Sequence, residues 1–449
     1  MDIVIIGGGS AGTTCAFELR KLNKDIGITI LERSSHSQYS PCALPYVIGG
    51  EIGSFDDIFI FNAQDYKDND IKLLLNSEVK KIDKKSKKIF YTSQEEDVHI
   101  KYDILVLATG SSCFVPPIPG IDDCSYKVLK TIDDAQDINS EIKKDKVSVI
   151  IGAGIIGIEL AHALAQCDQK VVVVEAKDSI MPAVLDADIS RKLEEYLTSL
   201  GVMFYKGLAI QGVTPQELTV GDTKISYDQL FICTGVRPNL DLAKTLGLKV
   251  GCGIIVDDYL QSSDPAIYAC GDCVESVEHY SDQKILSMLG TTAVRQAKLI
   301  AGNISASKAS DVRPKQKCEP VLNNTISKVG KLFVGFVGIS QTRAKDLGIE
   351  AVSASYTGNV RSEYYPSKSK ITIKLISDRS GILIGGQIIG HEEVVGRLNL
   401  LALAIKKGTS IKELADLETC YNPPSSPIFD PVTIVAQICE KKLGSLIKR

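Results

Sequence analysis

Apolar residues in this chain gather in short runs separated by helical patterns. Ile3-Val4-Ile5-Ile6, Ile28-Thr29-Ile30-Leu31 and Ile104-Leu105-Val106-Leu107 come first, and Val149-Ile150-Ile151, Val171-Val172-Val173-Val174 and Leu230-Phe231-Ile232 follow. Runs of this length, rich in β-branched residues, read as strands buried on both faces. Strand, helix and strand then alternate, the order of a βαβ unit. No run approaches the roughly 20 apolar residues that cross a bilayer. Asp2 opens a strand at once, with no basic leader before it. The expectation is a cytoplasmic protein with no membrane partner. Lys80 to Lys88 reads as a solvated hairpin.

The pattern repeats. The first strand runs into Gly7-Gly8-Gly9-Ser10-Ala11-Gly12, and the strand near 150 runs into Gly152-Ala153-Gly154-Ile155-Ile156-Gly157. Both are G-x-G-x-x-G. Each is followed by a helix and a second strand ending in an acid. Glu32 falls 20 residues after Gly12, and Glu175 falls 18 after Gly157. A βαβ unit needs about that distance to carry a carboxylate to an adenosine ribose. A second element also recurs: Ile104 to Gly110 and Leu230 to Gly235 each end in Thr-Gly, with prolines close behind. Ile267 to Asp272 is a further strand ending in Gly-Asp, and Gly290 to Gly302 reads as a helix. From about 315 the pattern turns to strands and two helices without a fingerprint, an α+β domain.

Composition narrows the function. Hydrophobic residues at 44% and charged residues at 24% fit a soluble globular chain and exclude a disordered one. A net charge of −4 gives no general attraction to nucleic acid. Twelve Cys in 449 residues are too sparse for a disulfide scaffold, so each thiol is weighed singly.

A pyrophosphate binds where backbone N–H groups at a helix N-terminus face it, and glycine lets it come close. Gly7, Gly9 and Gly12 make one dinucleotide site and Gly152, Gly154 and Gly157 another. FAD with a nicotinamide nucleotide is the usual pair for electron traffic. Glu175 favours NADH over NADPH, because a carboxylate repels a 2′-phosphate, although Lys177 is near. Cys42 follows Pro41 ahead of an apolar stretch that can start a helix. It is either a nucleophilic thiol with a lowered pKa or a Cys buried in a turn. Cys270-Gly271-Asp272-Cys273 has C-x-x-C spacing, but it lacks the second ligand pair of a metal site and reads as part of a flavin strand. Cys15 reads as a core thiol, and no metal site is expected.

Together these segments resemble the pyridine nucleotide-disulfide oxidoreductases. Cys42-Ala43-Leu44-Pro45-Tyr46-Val47-Ile48-Gly49-Gly50 is similar to the active-site motif of the single-cysteine branch. That branch holds coenzyme A disulfide reductases, NAD(P)H sulfur reductases, and NADH oxidases and peroxidases. Tyr364-Tyr365-Pro366 and Tyr421-Asn422-Pro423-Pro424 resemble its tyrosine segments. The resemblance implies an α/β fold with two Rossmann-like dinucleotide-binding domains plus a C-terminal α+β dimerisation domain. The FAD domain is expected at 1–113 and 239–314, the NAD domain at 114–238 and the dimerisation domain at 315–449.

By the same resemblance, FAD is held by Gly7, Gly9, Ser10, Ala11, Gly12, Glu32, Arg33, Pro41, Ala108, Thr109, Gly110, Gly271, Asp272, Thr292, Ala293 and Arg295. NAD(P)H is held by Gly152, Gly154, Ile155, Ile156, Gly157, Glu159, Glu175 and Gly235. Cys42 is the redox cysteine. Tyr421 and one of Tyr364 or Tyr365 act on Cys42 of the partner subunit in a homodimer, and Arg20 and Lys21 meet the phosphates of coenzyme A.

The chain also departs from the family. Positions 37 and 47 are Ser and Val, so Cys42 has no C-x-x-x-x-C partner. Ser10 stands where oxygen- and peroxide-reducing relatives carry histidine, and Ile155 where a tyrosine gates the nicotinamide. Gln38 and Pro41 replace the serine and asparagine of coenzyme A disulfide reductases. The function implied is an FAD-dependent oxidoreductase that passes electrons from NAD(P)H through one cysteine to a small disulfide, persulfide or polysulfide, coenzyme A disulfide or persulfide foremost. An NADH oxidase and a flavin redox sensor are the alternatives.

Overall fold

The computed structural model describes residues 1–93, 96–306, 314–367 and 369–447, so residues 307–313 of the expected 239–314 segment lie outside it. The chain packs as two compact units. One comprises Met1–Leu44, Ile52–Cys113 and Val236–Val321, the other Pro45–Glu51, Phe114–Gly235 and Leu322–Arg449.

The first unit is built on a parallel sheet. Its strands run in the order Ile267–Ala269, Ile104–Leu107, Asp2–Ile6, Gly27–Leu31, Lys72–Leu74. Successive side chains of a strand point to opposite faces, so a continuous apolar run serves two cores at once. Ile3, Ile5, Ile28 and Ile30 face the helices Ser10–Leu22 and Gly290–Ala306, meeting Cys15, Leu19, Ala297 and Ile300. Val4, Ile6, Leu105 and Leu107 join Ile82, Ile89 and Tyr91 of an antiparallel sheet on the other face. The expected lysine-rich hairpin is there: Ser77–Asp83 pairs antiparallel with Lys88–Ser93.

The second unit repeats the motif. A parallel sheet runs Met203–Lys206, Lys170–Glu175, Val147–Ile151, Gln229–Ile232. The helix Ile155–Gln166 follows its glycine loop. The same unit holds a five-stranded antiparallel sheet in the order Thr325–Val329, Leu332–Gly338, Leu383–Gly390, Lys370–Asp378, Ala351–Asn359, with the helices Val394–Lys406 and Pro431–Ile447.

The expected dimerisation segment from 322 onward packs in the same compact unit as the second nucleotide sheet. Buried polar groups fasten the last third to the second nucleotide sheet. Lys374 pairs with both Asp186 and Asp188. Asp186 also accepts from Gln387 at 2.9 Å and from the backbone N–H groups of Gln341 and Thr342.

Candidate active site

The two glycine loops share one geometry. Gly7 and Gly152 both take φ +105°, and an added Cβ would stand 2.2 Å from the Ala108 carbonyl oxygen and 2.4 Å from that of Cys233. Gly12 and Gly157 let each helix press on its own loop, their added Cβ atoms falling 1.9 and 2.1 Å from the Gly7 and Gly152 oxygens. The middle glycines differ: an added Cβ on Gly9 or Gly154 meets nothing within 4 Å. Each is the N-cap of its helix, gives no side-chain cap, and is followed by a first turn without an acid. The outcome is an uncapped, positively polarised helix end beside open space, a cradle that fits a pyrophosphate.

The acids repeat as well. Glu32 Oε2 accepts from the Gly8 N–H at 2.6 Å and Oε1 from Ser34 N–H at 2.8 Å. Glu175 Oε2 accepts from Ala153 N–H at 2.8 Å and Oε1 from Lys177 N–H at 3.0 Å. Each carboxylate is pinned against its own loop, and each oxygen keeps a lone pair for a ribose hydroxyl. Thr13 braces the first loop, donating to Gly8 O at 2.8 Å and meeting Tyr66 Oη at 3.1 Å.

Other expected cofactor residues cluster within the first unit. Thr109 Oγ1 donates to Asn239 O at 2.9 Å, and Asn239 Nδ2 returns to Thr109 O at 2.8 Å. Asn239 N–H reaches the Gly110 oxygen at 3.0 Å. Ser111 Oγ donates to Asp272 at 2.7 Å, and Gly271, at φ +85°, donates its N–H to Gln296 at 2.9 Å. Thr292 and Ala293 are buried in the helix behind, while Arg295 and Arg33 are exposed. Sequence reading passed over Asn239. The signal was there in Pro238-Asn239, close behind the second Thr-Gly. In the second unit Gly235 takes φ +102° in open surroundings, and Ile155 and Ile156 are half-buried at the helix start.

Pro41–Ala43 form a short turn with Pro at its start, running straight into the helix Leu44–Ile48. Cys42 is exposed in that turn and unbridged, so the buried alternative falls. Cys15, Cys270 and Cys273 are fully buried, and burial holds all three thiols protonated, Cys15 up to about 12. Among the described residues no group of His, Cys, Asp or Glu could hold a metal ion.

Arg20 corrects the sequence reading. It is buried, and its guanidinium donates to the carbonyls of Lys24, Ile26, Asn69 and Asp70 at 2.6–2.9 Å. It pins a turn, and four of the five guanidinium N–H groups are spent on these carbonyls. Lys21, its neighbour, is exposed.

In the second unit, Tyr46 Oη reaches Glu159 at 3.3 Å and the Lys328 carbonyl at 3.1 Å, and Ser327 Oγ donates to Glu159 at 2.6 Å. Burial pushes the Glu159 carboxyl up to about 7, against the pull of those two hydrogen bonds. Sequence reading gave Tyr46 no role and missed Ser327, since nothing local links residues so far apart. The Tyr364 and Tyr421 hydroxyls stand 2.8 Å apart and both side chains are exposed. Their hydrogen bond lowers the pKa of Tyr364 and raises that of Tyr421. Tyr364 is therefore the member of its tyrosine pair that meets Tyr421.

Two such cradles on parallel sheets, joined to an α+β sheet domain, define a two-dinucleotide oxidoreductase. The chain belongs to the pyridine nucleotide-disulphide oxidoreductases: it matches that family over residues 1–297 and the family's dimerisation domain over 326–431. It is similar to a protein named NADH oxidase from Methanocaldococcus jannaschii, 39% identical over 99% of this chain and 100% of that one. A CoA-dependent NAD(P)H sulfur oxidoreductase from Pyrococcus furiosus is 27% identical over 97% of this chain and 98% of its own length. Among solved structures, a NAD-dependent persulfide reductase from A. fulgidus superposes with a TM-score of 0.94 at 31% identity, covering 99% of this chain and 84% of that chain. The protein is a flavin-dependent NAD(P)H oxidoreductase, and among its described residues no helix is long and apolar enough to cross a membrane.

Proposed function

We propose that this oxidoreductase takes electrons from NADH in preference to NADPH and reduces a small disulfide, persulfide or polysulfide, with coenzyme A disulfide or persulfide foremost. The observation that carries the reading is Cys42, exposed in its turn, with Ser37 and Val47 where a second cysteine would stand. With no second cysteine at the C-x-x-x-x-C spacing, a redox cysteine passes electrons on by bonding to an outside sulfur or oxygen. Ser10, in place of the histidine of oxygen-reducing relatives, favours sulfur.

The cradle of Gly7, Gly9 and Gly12, with Glu32 and Asp272, would hold FAD, and that of Gly152, Gly154 and Gly157, with Glu175, the nicotinamide nucleotide. FAD, when bound, supplies the relay between a two-electron hydride donor and sulfur. Cys42 thiolate attacks one sulfur of an acceptor RSSR, forming a mixed disulfide and releasing RS⁻. An electron pair delivered to that mixed disulfide breaks it, freeing the second RS⁻ and restoring the thiolate. The balance is NADH + H⁺ + RSSR giving NAD⁺ + 2 RSH. In a homodimer, Tyr364 and Tyr421 would serve Cys42 of the partner subunit, Tyr364 as the more acidic proton donor to the leaving thiolate.

A second reading, an NADH oxidase, is favoured by the name of the 39%-identical relative. NADH turnover measured with coenzyme A disulfide, polysulfide and O₂ separates the two. Cys42→Ser should lower sulfur-acceptor turnover by about a thousandfold or more, as loss of a nucleophile does. Full turnover in that variant would overturn the mechanism, and NADH consumption that needs O₂ and ignores sulfur acceptors would favour the oxidase.

A further inference from the structure

We propose that binding of NADH at the second glycine loop is coupled to uptake of a proton by Glu159, whose carboxyl is held in place by Tyr46 and Ser327. This rests on the reading that the second loop receives the nicotinamide nucleotide. Glu159 lies on the helix Ile155–Gln166, two residues beyond Gly157, so it stands one turn behind the cradle.

Its surroundings support a carboxylate only in part. Ser327 Oγ and Tyr46 Oη both address the same oxygen, Oε1, at 2.6 and 3.3 Å. The single Tyr46 hydroxyl proton is contested, because the Lys328 carbonyl lies nearer, at 3.1 Å, while Lys328 N–H donates to the same hydroxyl at 3.3 Å. The Lys328 ammonium is engaged by Glu51. Other titratable groups beside this strand are His162, further along the same helix, and Tyr196, whose hydroxyl accepts from Lys331 N–H at 2.9 Å. No cation among the described residues pairs with Glu159.

The segment that carries Tyr46 lies close against the helix. An added Cβ on Gly49 would stand 2.9 Å from Gln166 Oε1 and 3.3 Å from Ala163 Cα, so the chain passes close along the helix here. Cys167 Sγ donates to the Ile48 carbonyl at 3.4 Å beyond it.

A half-buried, desolvated carboxyl with no counter-ion among the described residues responds to any new charge nearby. Burial already brings Glu159 to about 7, so it is poised at neutral pH. NADH brings a doubly negative pyrophosphate to the N-terminus of the same helix, and like charge favours the protonated carboxyl. Linkage then requires that nucleotide binding take up protons and tighten as pH falls. A rise of one pKa unit from 7 takes the group from half to about nine-tenths protonated at pH 7, an uptake of about 0.4 proton per site. Disulfide reduction by NADH consumes one proton, so the linkage brings proton and reductant in together.

The test is calorimetric titration of the flavin-loaded enzyme with tetrahydro-NAD, which carries the charge of NADH but gives no hydride. Enthalpies in phosphate and in Tris at pH 7 count the protons taken up. Wild type should take up about 0.4 proton per nucleotide bound, and Glu159→Gln, whatever its affinity, should take up near zero per nucleotide bound. Tyr46→Phe removes a donor that favours the carboxylate, so its pH of greatest uptake should move upward. Undiminished uptake in Glu159→Gln, an unmoved maximum in Tyr46→Phe, or wild-type binding without uptake would each overturn the coupling. Absence of any binding heat in wild type would overturn the reading of the second loop, and the coupling with it.

Discussion

Glu159 holds its proton more tightly in the folded chain than in the unfolded one, because burial penalises the carboxylate more than Ser327 and Tyr46 support it. A raised carboxyl contributes its stability fully below the unfolded value of 4.5 and loses it as pH climbs to about 7. Stability to urea should therefore fall across that window. Glu159→Gln, which keeps an acceptor for both donors and carries no charge, should flatten the fall by about 1–3 kcal/mol. Equal slopes for the two proteins would refute the assignment. At this scale the sequence was half legible. The turn left Cys42 open between a reactive and a buried thiol until its exposure was seen, and Arg20 could not be told from a phosphate ligand. Whether a guanidinium faces outward or is consumed by four carbonyls is settled by chain segments that only folding brings together.

The glycine loops show at the element scale why one residue type recurs for different reasons. Gly12 must lack a Cβ because the helix rests on the Gly7 carbonyl, whereas Gly9 lacks one where nothing of the protein stands. Gly12→Ala should disturb the fold itself, lowering the melting temperature with or without flavin. Gly9→Ala should leave the flavin-free protein within about 1 kcal/mol of wild type, as expected for an exposed N-cap change, and release flavin more readily. Differential scanning with and without added FAD, together with flavin fluorescence on dilution, separates them. Equal flavin retention in Gly9→Ala and wild type would contradict the cradle. These elements were largely legible in the sequence. Strand, glycine loop, helix and acid all interact within about 30 residues, so local spacing specifies their geometry.

Across the whole molecule, large exposed apolar side chains concentrate in the region matched by the dimerisation family. Tyr364, Leu403, Ile428 and Phe429 are each more than half exposed, at 73%, 57%, 63% and 65%. A homodimer, as the dimerisation family suggests, would give such side chains something to cover them. Phe429→Asp with Ile428→Asp should shift the protein from dimer to monomer in sedimentation velocity and lower sulfur-acceptor turnover at the same time. A monomer with undiminished turnover would remove the shared tyrosines from the mechanism. The alternation of apolar runs, the doubled fingerprint and the single cysteine were readable from the chain, since each depends on periodicity or short spacing. The joining of the last third to the second nucleotide sheet, the Tyr46–Glu159–Ser327 contact and the meeting of Tyr364 with Tyr421 were not. Residues 57 to 282 positions apart interact there, and their encounter depends on how whole elements pack, which no local pattern records.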